Sequence, residues 1–233
     1  LTHPIEDQHG SRGGDRRAPT TTTTGGEPVL RTDRSPRTAT PSETGALSAA
    51  LASAFQVDPI FSWLVPDPRR RNRRLQRFFA LELQHVVLPV GRAWTLDGAP
   101  GASLELPPDR WRMPFGTQLA HAPAFTRVFG SRLAHAFALI TLMERRHLRE
   151  PHYYIAYVGL APDAQGQGLG TTLLRPTLDR CDREQLPAYL EATSERSASL
   201  YERLGFEHLG PFRFASSPPL WPMRRPPSAP PPR

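Results

Sequence analysis

The sequence predicts an α/β domain, and three neighbouring stretches carry that prediction. "HYYIAYVGL" (His152–Leu160) is rich in aromatic and β-branched residues and reads as a strand. A glycine-punctuated turn, "APDAQGQGLG", follows it and opens a helix from about Gly168 to Gln185. "AYLEAT" (Ala188–Thr193) is a second strand, which completes a strand–turn–helix–strand unit.

The remaining elements fall on either side of that unit. "ALSAALASAF" (Ala46–Phe55) has helical spacing and stops at the breaker "VDP". In "RRRNRRLQRFFALELQHVVL", residues Leu75, Phe78, Phe79 and Leu83 form one helical stripe. "RAWTLDG" and "GASLELPP" read as a hairpin turning near "DGAPG". "TRVFGSRLAHAFALITLMERRHL" predicts one long amphipathic helix with basic residues at its C-terminus. "SERSASLYERL" is a helix that starts on a Ser/Thr cap and stops at Gly205. "GFEHLGPFRF" and "PLWPMRR" are expected to close the sheet as a pair.

Three domains of character are expected. Residues 1–44 are low in apolar side chains and expected to be disordered, 45–226 form the folded domain, and 227–233 are a proline-rich tail. All 29 basic residues are arginine, and the net charge is +7. The absence of lysine excludes a Schiff-base lysine and a phosphate-loop NTPase. Cys181 is the only cysteine, so neither an intramolecular disulfide nor a cysteine-rich zinc site is available. Its place among Leu173, Leu174 and Leu178 suits a small core residue. No run reaches the roughly 18 apolar residues of a membrane span, and a cytoplasmic protein with no membrane partner is expected.

The glycine turn carries the functional reading. Glycine in a first helical turn costs roughly 1 kcal/mol against alanine, so three of them need a reason. A helix N-terminus offers unpaired N–H groups and a positive dipole end, and side-chain-free residues let a phosphate approach them. A dinucleotide fingerprint fits Gly166 and Gly168, but its third position is Thr171; starting at Gly168 and Gly170, it is Leu173. The missing glycine weakens that rival, but Glu191 stands near the distance of a ribose-binding acid and keeps it open.

The letters do match Q/R-x-x-G-x-G/A, at Gln165, Gly168 and Gly170. Together with "LAP" (Leu160–Pro162) and the ending "LYERLGF" (Leu200–Phe206), the stretch His152–Leu209 resembles the GNAT superfamily of N-acetyltransferases. "AFQVDPIFSWLVPDP" and "GASLELPPDRW" extend the resemblance to roughly Gly45–Pro226. It implies a central mixed, largely antiparallel sheet flanked by helices, with splayed strands around acetyl-CoA. It also implies acetyl transfer to a primary amine, expected to be a small molecule, by direct transfer in a ternary complex. A non-catalytic acyl-CoA-binding module and a peptide or protein amine acetyltransferase are the alternatives.

By the same resemblance, the amides of Gln165, Gly166, Gln167, Gly168, Leu169 and Gly170 would hold the cofactor's pyrophosphate, with Gly166 an addition to the motif. Main-chain groups of Val158 and Leu160 would pair with its pantetheine arm, and Tyr201 would be the general acid. Ser194 stands where the family often has a cofactor-contacting asparagine, and it also suits a helix cap. Asp58 and Trp63 fall in the region that helps line the acceptor side.

No general base is identified. Glu105, alone in an apolar strand, reads first as solvent-facing and second as functional; His152 is a weaker candidate. Histidines 121, 135, 147 and 152 lack metal-ligand spacing, so no metal is expected. The run Arg69–Arg74 reads as a solvated helix start, and a nucleic-acid partner is not expected. A homodimer is left open.

Overall fold

The computed structural model describes residues 35–97, 99–112 and 115–228. Seven strands form one sheet: β1 (Pro36–Thr38), β2 (Arg92–Leu96), β3 (Ala99–Leu106), β4 (Tyr153–Leu160), β5 (Ala188–Ala192), β6 (Glu207–His208) and β7 (Trp221–Arg225). Their order is β1-β2-β3-β4-β5-β7-β6, antiparallel throughout except for β4 against β5. This is the mixed, largely antiparallel sheet expected from the sequence.

Helices α1 (Thr44–Ala54), α2 (Pro59–Leu64), α3 (Pro68–Leu81), α4 (Phe115–Phe129) and α5 (Leu133–Arg146) precede β4. Helix α6 (Leu169–Glu184) links β4 to β5, and α7 (Glu195–Glu202) follows β5. Alternation along β3 separates the two faces. Leu104 and Leu106 join Leu51, Leu75, Phe78 and Phe79 in one core, whereas Glu105 turns to Thr177 of α6. The predicted stripe Leu75, Phe78, Phe79 and Leu83 is buried in that first core. Gly159 lets α1 approach β4, because a Cβ there would lie 2.9 Å from Ala54 Cβ and 3.0 Å from the Phe55 ring.

Five expectations need correction. Residues 1–34 lie outside the described residues, but order begins ahead of Gly45. β1 pairs with β2, and Arg37 bonds Glu43 at 2.7 Å and Asp97 at 2.7 Å. Of the proline-rich tail, Ser228 is described, and its N–H donates to Asp182 at 2.7 Å; 229–233 lie outside. The long helix is two, α4 and α5, broken where Gly130 takes φ +56°. Hydrophobic spacing runs straight through this break, so the glycine's backbone freedom decides it.

Glu105 is not solvent-facing. It is buried beneath α6, accepts from Thr177 and pairs with Arg180 at 2.8 Å. Nor is the arginine run uniformly solvated. Arg71 is buried and donates to the carbonyls of Val65, Gln56 and Pro66 at 2.7, 2.8 and 3.1 Å.

Candidate active site

Strands β4 and β5 pair only at Tyr153–Ala188 and Tyr154–Tyr189. Beyond that point they diverge, so the β5-facing edge of β4 from Ile155 to Leu160 has no strand against it. A bulge sits at the divergence: Leu104 faces Tyr157 and Glu105 faces Ile155, leaving Ala156 as the extra residue. Bulges bend a strand and increase its twist, which turns the end of β4 away from β5.

The glycine turn closes the end of this split. Gly166 and Gly168 take φ +78° and +76°, and space beside both is open. Gly166, an addition to the matched motif, thus occupies a left-handed position that favours glycine. Gly168 caps α6, whose first amides lack intrahelical acceptors and whose first residues line the cavity beside the split. A Cβ at Gly170 would make only ordinary contacts, at 3.9 Å from Leu200 and 4.0 Å from Leu160, so the fold alone does not require glycine there. Gln165 braces the turn by donating its side-chain amide to the Leu160 carbonyl at 2.9 Å.

A cavity of about 940 Å³ runs from this turn across the sheet to α1–α5. Val158, Leu160, Gln165, Gly166, Gly168, Leu169, Gly170, Ser194 and Tyr201 all line it. Gln167 does not; its side chain turns back to the Asp163 carbonyl at 3.1 Å. Ser194 caps α7 by accepting from the Ser197 amide at 3.2 Å, and it borders the cavity as well.

Tyr201 is buried on α7 with its ring against Phe206, and its hydroxyl makes no hydrogen bond to another described residue. Burial and the charge of Asp58 push the phenol up to about 12, so it holds its proton at neutral pH. Asp58 caps α2 through the Phe61 amide at 3.0 Å and accepts from Thr193 at the end of β5. Burial raises the Asp58 carboxyl above its ordinary range, and those hydrogen bonds oppose the shift. Trp63 lies outside the lining and packs instead against His135 and Phe214.

The far half of the cavity combines aromatic rings with acids. Phe55, Phe61, Phe78 and Tyr157 pack together with centroids 5.3–6.5 Å apart where they touch, edge to face except for Phe61 on Tyr157, which is tilted at 35°. Glu82 lies in a π-helical turn (Glu82–Val87) that continues α3, and it lines the same space. It has no hydrogen bond or ion pair to another described residue, and burial alone pushes it up to about 7. The sequence reading did not single out this acid, because an α-helical period does not anticipate a π turn. Glu191 is oriented by the hydroxyls of Tyr154 at 2.9 Å and Tyr189 at 3.0 Å. Cys181 is fully buried away from the cavity, its thiol pushed up to about 12 by burial, which leaves it unreactive. Among the described residues, no group of three or more His, Cys, Asp or Glu side chains is placed to hold a metal.

Comparison with known proteins meets this geometry. A profile of the acetyltransferase (GNAT) family matches residues 106–206, which span β4, the glycine turn, α6, β5 and α7. Across those residues the chain is similar to the GNAT acetyltransferases. A solved structure of histone acetyltransferase HPA2 and related acetyltransferase from Corynebacterium glutamicum is similar to this chain at 27% identity. Its TM-score is 0.66, over 85% of this chain and 98% of that one. The Drosophila melanogaster polyamine N-acetyltransferase, which forms N-acetylagmatine, shares the fold at 17% identity and TM-score 0.53. That match covers 83% of this chain and all of the other. An uncharacterized N-acetyltransferase of Schizosaccharomyces pombe is 39% identical over 59 residues, 25% of this chain. The match spans only about a quarter of that curated relative's length. No helix among the described residues is long and apolar enough to cross a membrane.

Proposed function

We propose that this chain transfers an acetyl group from acetyl-CoA to a small primary amine, directly within a ternary complex. The observation that carries the reading is the split between β4 and β5, ending on the left-handed glycines at the head of α6. The residues present fit such a cosubstrate. The amides of Gly168, Leu169 and Gly170 suit a pyrophosphate, and the free edge of β4 at Val158 and Leu160 suits an amide-bearing arm added as a strand. Acetyl-CoA supplies an activated thioester.

The chain's own residues do the rest. Backbone N–H near Leu160 polarises a carbonyl at the end of the split. Tyr201, neutral and desolvated, donates its proton to the departing sulfur. On the acceptor side, the carboxyls of Asp58, Glu82 and Glu191 stand among aromatic walls, a combination that suits an amine on an apolar body. The small-amine activity in the name of the Drosophila neighbour agrees with that lining.

The test is release of CoA thiol from acetyl-CoA across a panel of primary amines, with the product mass checked. Activity should favour amines with aromatic or alkyl bodies over peptides. Turnover confined to peptide amines would overturn the small-molecule reading.

A further inference from the structure

We propose that His147 Nδ1 is the proton acceptor for the incoming ammonium, with His152 and Glu191 as its positioning residues; this rests on the acetyltransferase reading above. The argument begins at a group that cannot donate. His152 Nδ1 lies 2.7 Å from the Glu150 carbonyl oxygen, so the ring proton must sit on Nδ1. In the neutral ring, His152 Nε2 is then a lone pair. His147 Nε2 lies 3.0 Å from it and must be the donor. That leaves His147 Nδ1 bare, 3.6 Å from Glu191 Oε1. A second neighbour's hydrogen bond thus sets the tautomer and leaves the other ring nitrogen as the base.

A helix C-terminus, an aromatic face and a carboxylate surround that ring. His147 caps the C-terminus of α5, the negative end of the helix dipole. The Trp111 ring stacks on it at 3.6 Å and 21°. Glu191 of β5 supplies the countercharge, its other contacts being the hydroxyls of Tyr154 on β4 and Tyr189 on β5. Three further charged groups stand nearby: Glu144 on α5 itself, Arg112 over the Trp111 ring at 4.6 Å, and Glu150, which pairs with Arg224 at 2.6 Å. His152 is depressed by burial, a shift that the His147 charge adds to and the Glu150 carbonyl opposes. His147 and Glu191 line the acceptor half of the cavity, while His152 does not.

The step balances. An ammonium N–H bond breaks and Nδ1–H forms, the electron pair staying on nitrogen. That pair makes the N–C bond as the C–S bond breaks, sulfur takes the Tyr201 proton, and the nitrogen's second proton restores the phenol. His147 then returns its proton to solvent.

Two measurements test this. The first is the pH profile of kcat/KM by thiol release for wild type, His147→Gln, His152→Gln, Glu191→Gln and Glu82→Gln. The acid limb of the wild-type profile should vanish in His147→Gln, with kcat down at least tenfold and acetyl-CoA affinity unchanged. It should move to lower pH in Glu191→Gln, which removes the countercharge. An unaltered profile in His147→Gln, or a limb lost only in Glu82→Gln, overturns the proposal while leaving the acetyltransferase reading intact. The second uses imidazole nitrogen NMR on the wild-type chain and does not depend on turnover or on variants folding. His152 should titrate from the Nδ1–H tautomer and His147 from the Nε2–H tautomer; the reverse pairing refutes the assignment. Wild type that releases no thiol with any amine refutes both readings.

Discussion

Glu82→Gln isolates the cost of keeping an unpartnered acid in the cavity. The Glu82 carboxyl is pushed from its ordinary 4.5 up to about 7 by burial, and no described group compensates its charge. The unfolded chain gives up this proton at its ordinary pKa, and the folded chain retains it until about 7. Stability therefore falls as pH rises through that window and levels off above it. At about 1.4 kcal/mol per pH unit, the loss is about 3 kcal/mol above pH 8. Glutamine does not ionise, so the variant should be more stable than wild type by about that amount at pH 8 and near parity at pH 4.5.

In a domain of this size, that corresponds to roughly 6–12 °C in Tm. Thermal or urea unfolding of both proteins at the two pH values reads it directly. The same variant should raise the acceptor KM about tenfold, through loss of one charge opposite the ammonium. A stability difference equal at both pH values would refute the burial argument.

Three further outcomes follow from particular contacts. Tyr201→Phe should lower kcat at least tenfold with acetyl-CoA binding retained, measured by titration calorimetry; unchanged turnover removes Tyr201 as the acid. Gly168→Ala forces a Cβ into a φ of +76°, so it should cost about 1 kcal/mol of stability and weaken acetyl-CoA binding in the same calorimeter. Arg71→Ala leaves three carbonyls without their donor and should destabilise by about 2–4 kcal/mol in urea unfolding, with the acetyl-CoA dissociation constant unchanged for the folded fraction.

The centre of the fold was legible because local and long-range signals coincide there. Tyr153–Leu160 has strand composition on a buried strand, and Gly168 and Gln185 bracket α6 as both turn chemistry and capping require. The paired closing strands, Glu207–His208 and Trp221–Arg225, were readable for the same reason. β1 was not readable, because Pro36–Thr38 sits in a polar run and becomes a strand only where β2 and the Arg37 ion pairs hold it.

The acceptor side was hidden for a different physical reason. Glu82 follows a helix whose α-helical period fails at the π turn. His147 and His152 meet across the turn between α5 and β4, so their spacing in sequence matches no recognised pair. Glu191 was noticed for the wrong partner: it faces His147 and two tyrosines in the acceptor half of the cavity. Sequence patterns specify strands, caps and turns, whereas these side chains converge only through tertiary packing.

The most direct test of acetyl transfer is a single assay: incubation of the chain with acetyl-CoA and a panel of small primary amines, followed by free thiol and product mass. The account predicts equal amounts of CoA thiol and N-acetylated amine for at least one amine with an apolar body. Saturable acetyl-CoA binding with no thiol released on any amine would contradict it.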